Sequence, residues 1–199
     1  MSDPKTLLAM AGADMTPSSF SNAVVVMIDC QMEYVDGFLP LTGVEPALEE
    51  CAKILERARA AKTPIVHVVH EGRSGGAFDL DGHGGKIAPK AARIDGEELV
   101  KKPLPNAFAK TNLNDILAAG GRQQLILAGF QTHMCISSTA RAALDLGYRV
   151  TVVGAASATR DLPRPDGGVM KAEDLHIASL TALGDRFAVI AKDSAALPD

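Results

Sequence analysis

Apolar positions along the chain follow two alternating rhythms. Ala23–Ile28 (AVVVMI) is a short unbroken run, Ile65–Val69 is one broken only by His67, and Leu125–Ala128 is again unbroken. Continuous runs of this kind mark strands covered on both faces, as in a parallel sheet. Between them the spacing changes to three and four, the period of amphipathic helices. Leu48, Ala52, Ile54, Leu55 and Ala58 show it in 45–61, a second helix is predicted over Leu113–Ala119, and Ile136, Ala140, Ala143 and Leu144 show it after the third run. Thr132 would cap that last helix and Gly147 would stop it. Glu98–Lys101 reads as a short strand, with Lys102 just past it and Pro103 and Pro105 preventing continuation. Toward the end come a strand at Arg149–Val153, a polar loop from Gly154 to Gly168, a helix from about Lys171 to Leu183, and a last strand at Phe187–Ala191. Two stretches carry no rhythm: a lead-in over residues 1–22, and a glycine-rich segment over 72–97 that reads as a lid loop, since long irregular segments in small domains are usually functional.

Strands alternating with helices predict an α/β fold of three layers, α/β/α, around a central, mostly parallel sheet of about six strands. With 199 residues and 47% hydrophobic content, the chain suits one such domain over 1–199. In these folds ligands bind outside the carboxyl ends of the strands. That rule singles out Asp29 after the first strand, His70 after the second, Lys102 after the third, and Cys135 at the turn from the central strand into its helix. A cysteine close to a helix start lies near the positive end of the macrodipole, which favours thiolate. A neighbouring aspartate opposes ionisation and a lysine promotes it, so Asp29, Lys102 and Cys135 would titrate as a unit. A nucleophile, a proton acceptor and a cation are what acyl transfer by cysteine requires.

The net charge of −4, without a long Lys/Arg run, argues against nucleic acid or an anionic membrane as partner. No apolar run reaches membrane-span length, and MSDPKTLLAM lacks the basic region and long apolar core of a signal peptide, so a cytoplasmic location is expected. Cys30, Cys51 and Cys135 are odd in number and widely spaced, which suits a reducing compartment. The absence of CxxC argues against structural zinc, and no GxGxxG follows a strand. A small molecule is the expected partner.

Three pieces of sequence carry a resemblance: Asp29-Cys-Gln31 closing the first strand, Lys102 followed by Ala107-Phe108, and Gly129-Phe-Gln-Thr132-His-Met-Cys135. With these, over roughly Val24 to Lys192, the chain resembles the isochorismatase-like cysteine hydrolases, whose members include nicotinamidases, N-carbamoylsarcosine amidases and ureidoacrylate hydrolases. The resemblance implies a catalytic triad of Asp29, Lys102 and Cys135, with Asp29 as proton acceptor and Lys102 supporting the thiolate. It also implies a non-proline cis peptide at Phe130–Gln131, with the backbone N–H groups of Gln131 and Cys135 forming an oxyanion hole. The substrate pocket would draw on Gln31, Tyr34, His70, Phe108, Phe130 and His133, with Gln31 also a brace for its turn. No cofactor and no metal are expected. Nicotinamidase-type members carry Asp-x-His and further histidines after the second strand, where this chain has His70-Glu-Gly-Arg, with Asp79, Asp81 and His83 beyond. Family members are commonly oligomeric, so a homodimer or tetramer is expected.

The activity so implied is hydrolysis of a small amide or ureido compound at its C–N bond through a thioester. The alternatives are an isochorismatase-type vinyl-ether hydrolase with Asp29 as the main acid, and a non-catalytic binding protein on the same fold. His67 reads as a satisfied core histidine, His176 as structural, Cys30 as packing on the opposite face from Asp29, and Cys51 as structural or exposed.

Overall fold

The strand β1, Ala23–Ile28, lies at the centre of a six-stranded sheet and is buried along its whole length. The remaining strands are β2 (Ile65–His70), β3 (Glu98–Lys102), β4 (Gln124–Phe130), β5 (Arg149–Ala158), and, beyond a small hairpin of β6 (Leu162–Pro163) and β7 (Val169–Met170), β8 (Val189–Ala191). A computed structural model describes residues 3–199 and orders the sheet β3-β2-β1-β4-β5-β8, every neighbour parallel.

Alternation along β1 divides the core into two layers. Val25 and Met27 pack under α2 (Val44–Ala60) with Leu48, Cys51, Ile54 and Leu55. Val24, Val26 and Ile28 face α3 (Leu113–Gly120) and α4 (Ser137–Asp145), together with Leu183 from α5 (Ala172–Arg186). Continuous apolar strands are required because both faces are covered. A first short helix, α1 (Leu7–Met10), lies in the lead-in, its N-terminus capped by the Thr6 hydroxyl accepting from Ala9 N–H at 3.1 Å. The chain runs outward from β1 to β3, then returns to β4 beside β1 and runs outward the other way. The reversal between β1 and β4 is the topological switch point at which open α/β sheets bind ligands.

Two sequence expectations need correction. The strand predicted to end at Val153 continues to Ala158, and β6 interrupts the rest of the expected polar loop, pairing with β7 just past its end. A register shift between Leu127 and Gly129 lets Gly129 and Phe130 pair with Ser157 and Ala158, and Ala156 packs in the core under α2. Small residues at Gly154-Ala-Ala-Ser157 hide this strand from propensity, whereas tertiary packing requires it. Thr132 does not cap α4. It opens a single π-helical turn, Thr132–Ile136, and its hydroxyl is 2.8 Å from His176 Nδ1 on α5, while Ile136 occupies the cap position.

Candidate active site

The ends of β1, β2, β3 and β4 converge on one buried cluster. Asp29 follows β1 in a left-handed conformation (φ 51°), its N–H donating to the Val68 carbonyl at 2.8 Å and its carbonyl accepting from Gln31 N–H at 2.8 Å. Lys102 closes β3 at the register position beside His70. Its stem crosses the end of β2, and its Nζ lies 2.7 Å from Asp29 Oδ2, 3.3 Å from Cys135 Sγ and 3.3 Å from His70 Nδ1. Asp29 and Lys102 are fully buried and Cys135 is 4% exposed. Despite the close ion pair, neither Asp29 oxygen accepts a well-aligned hydrogen bond.

Electrostatics follow from this burial. Desolvation pushes the Asp29 carboxyl up, with Lys102 opposing. Desolvation likewise pushes the Cys135 thiol up to about 12, Asp29 adding to the effect and Lys102 acting against it. The expectation of a thiolate favoured by a helix start is therefore corrected: Cys135 lies inside the π-helical turn before α4, and burial beside Asp29 keeps its proton on sulfur. Ionisation of a thiol held in this way requires a proton acceptor at hand.

The turn that carries Cys135 is fixed from the backbone. The Phe130–Gln131 peptide is cis. The Gln131 carbonyl accepts the N–H groups of Met134 at 3.0 Å and Ile136 at 3.2 Å, the residues on either side of Cys135. Gly129 has φ 116°, and a Cβ there would stand 1.9 Å from the Ile28 carbonyl oxygen, so only glycine lets β4 approach β1 this closely.

The other sequence candidates divide by position. Gln31 is a strut: its Nε2 donates to the carbonyls of His70 and Gly85, each at 3.0 Å, and its Oε1 accepts from His70 N–H at 2.8 Å. Tyr34 packs edge-on to Phe130 at 5.9 Å, and the Phe130 ring is fully buried behind it. His133 is half-buried, with Nδ1 2.6 Å from the Thr159 hydroxyl. Phe108 is not brought to the cluster by any of these contacts; its ring stacks on Tyr148, which leads into β5, at 6.0 Å. His83 lies on the lid segment, 2.7 Å from Asp36, while His67 meets Glu97 at 2.9 Å. Among the described residues, no three His, Cys, Asp or Glu side chains come together as a metal cluster.

Two residues gain importance only in three dimensions. Phe78, from the glycine-rich segment, inserts its ring edge-on to Tyr34 at 5.1 Å and to His70 at 5.0 Å. Glu33, 1% exposed, accepts from the N–H groups of Phe38 at 2.6 Å and Phe78 at 3.3 Å, tying that segment down. Neither sits in a periodic pattern, and no spacing distinguishes either from other loop residues.

Comparison with known proteins agrees with this architecture. Residues 23–192 match the family model described as the isochorismatase domain. The chain belongs to the isochorismatase family. A solved isochorismatase from Pseudomonas putida KT2440 matches with a TM-score of 0.94 at 40% identity, covering 98% of this chain and 100% of that one. A secreted isochorismatase effector of Verticillium dahliae is 36% identical over 159 residues, 79% of this chain and 84% of its own. Streptothricin hydrolase of Streptomyces noursei is 31% identical over 176 residues, 87% of this chain and 63% of its own. The protein is thus a hydrolase of the isochorismatase family. Among the described residues, no helix is long and apolar enough to cross a membrane.

Proposed function

We propose that this family member is a cysteine hydrolase that cleaves a C–N bond of a small amide or ureido compound. The observation that carries the reading is the position of Lys102 Nζ, 2.7 Å from Asp29 and 3.3 Å from Cys135 in a cluster closed to solvent. A base, a cation and a thiol in contact are the parts of an activated nucleophile.

In the proposed reaction, Cys135 Sγ bonds to the substrate carbonyl carbon as its proton passes to Asp29. Burial raises the Asp29 pKa, which suits a group that must alternately take and return a proton. The carbonyl oxygen becomes an oxyanion, for which the N–H groups of Gln131 and Cys135 are the proposed donors. Collapse breaks the C–N bond, the leaving nitrogen takes the proton from Asp29, and a thioester remains. Water, deprotonated by Asp29, then attacks the thioester and releases the acid, with the proton returning to sulfur. Removing one oxyanion donor typically costs about 3 kcal/mol of transition-state stabilisation.

A vinyl ether hydrolysis led by Asp29 alone would leave the buried Lys102–Cys135 contact without a task, which favours the thiol route. The discriminating experiment is ammonia release over a panel of carboxamides, ureido acids and nitrogen-heterocycle amides, with wild type beside Cys135→Ala. The expected outcome is turnover of at least one panel member by wild type, with a loss of 10³-fold or more, on the order expected for a nucleophile, in the variant. A Cys135→Ala protein that releases ammonia at the wild-type rate would sink the proposal.

A further inference from the structure

Lys102 must cross the end of β2 to reach Asp29 and Cys135, because β2 lies between β3 and β1. The residue that ends β2 is therefore the one its ammonium passes. That residue is His70, paired in register with Lys102. A lysine ammonium carries three N–H donors and no acceptor, and burying one bare is costly. Lys102 has no solvent exposure, and three groups surround its Nζ: Asp29 Oδ2, Cys135 Sγ and His70 Nδ1. The ammonium is thus met by one group from each neighbouring strand end: Asp29 as an ion pair, Cys135 and His70 within hydrogen-bond distance.

We infer that His70 is a positioning residue for the catalytic lysine: its Nδ1 lone pair accepts the third N–H of Lys102 and so holds the ammonium on Asp29 and Cys135. The inference rests on the cysteine-hydrolase reading proposed above. It fixes the histidine as the Nε2–H tautomer, since Nδ1 can accept only when it carries no proton. The surroundings agree. Burial and the Lys102 charge hold the His70 pKa down at about 4, so the ring stays neutral. Lys102 is the charge that bears on it, Phe78 meets its ring edge-on, and Gln31 grips its backbone at both N–H and carbonyl. A second pin on the backbone and an aromatic wall on the ring hold Nδ1 toward Lys102. In the sequence His70 is only a strand-end histidine with a place in the expected pocket; its relation to Lys102 is set by the β2–β3 register.

Two variants separate the acceptor from the ring. His70→Phe keeps a ring against Phe78 and removes the acceptor, while His70→Asn removes the ring and offers Oδ1 near the place of Nδ1. The measurement is the rate of Cys135 alkylation by iodoacetamide at about pH 8, where it follows the small thiolate fraction, read by mass spectrometry, with Lys102→Met as reference and thermal midpoints recorded for each protein. For His70→Phe the rate is expected to fall by roughly three- to tenfold, the worth of one hydrogen bond. His70→Asn is expected to keep the wild-type rate, and Lys102→Met to shift furthest. If Lys102→Met shifts and His70→Phe does not, His70 has no positioning role. Equal shifts in His70→Phe and His70→Asn would assign the effect to ring packing and overturn the inference equally. A Lys102→Met rate identical to wild type would instead refute the cysteine-hydrolase reading of Lys102, and the role of His70 with it.

Discussion

Asp29 and Gly129 meet where the two central strands end, and each takes a backbone conformation that its place in the site demands. Asp29 adopts φ 51°, which swings its carboxylate to the same cluster as Cys135, while Cys30, the next residue, stays in the core under α2 with Sγ 4.0 Å from Cys51. The two neighbours do face apart, as expected from the sequence, but not by alternation: Cys30 lies in the layer of Val25 and Met27, where continued alternation would have put Asp29, and the left-handed turn at Asp29 inverts the facing. Nor could the sequence give the state of the thiol. Cys135 is held protonated by burial and by Asp29, a result that depends on how three strand ends converge rather than on the helix that follows. Gly129 pairs with Ile28 across the central seam, and its missing side chain is what admits that contact. Gly129→Ala is expected to lower stability by more than about 4 kcal/mol, since neither the φ nor the adjacent carbonyl can yield to a methyl group. Soluble yield and the urea midpoint test this; a wild-type midpoint in the variant would contradict it.

At the scale of elements, the 72–97 segment shows how a stretch without periodicity can still be tightly held. One end is tied by Glu33 to the N–H of Phe78, the middle by Gln31 to the Gly85 carbonyl, and the far end by Glu97. Glu97 accepts from Arg59 on α2 at 2.8 Å and from Ile94 N–H at 3.0 Å, and meets His67 on β2 at 2.9 Å. Burial pushes the Glu97 carboxyl up, but these bonds outweigh it and hold the pKa at about 2. A carboxyl depressed in the folded state stabilises the protein above its unfolded pKa, and that stability is lost as pH falls through the folded value. The window therefore runs from about pH 4.5 down to about pH 2, and the loss is on the order of 3 kcal/mol. Urea unfolding at stepped pH should show this slope in wild type and a flatter one in Glu97→Gln. Equal slopes would rule Glu97 out as its source. The sequence marked this segment as a lid because of its glycines, yet its ties lie in isolated polar residues whose partners sit far off in the chain.

Across the whole molecule, one side chain of α2 clasps the C-terminal stretch to the residues that lead into β1. Arg57 donates to the carbonyls of Ser194 at 2.6 Å and Leu197 at 2.9 Å, pairs with Asp199 at 2.5 Å, and lies 4.8 Å over the Phe20 ring. Phe20 in turn donates its N–H to the Pro198 carbonyl at 3.1 Å. Arg57→Ala is expected to cost about 1–3 kcal/mol by urea unfolding, leaving Cys135 alkylation unchanged, because the guanidinium acts on the C-terminal stretch and Phe20 and touches none of the strand ends that hold the thiol. An unaltered unfolding midpoint would show that the clasp contributes nothing. The same division runs through the protein as a whole. The sequence by itself determined the βα alternation, the buried parallel strands, and the placing of Asp29, Lys102 and Cys135 at strand ends, because periodicity and local chain reversal are properties of neighbouring residues. Only the tertiary structure decided that β2 lies between β3 and β1, that Lys102 reaches over His70 to both partners, and that β5 extends to Ala158 beside Phe130. Strand order, register and burial depend on residues far apart in the chain, and together they determine where charges meet and which groups keep their protons.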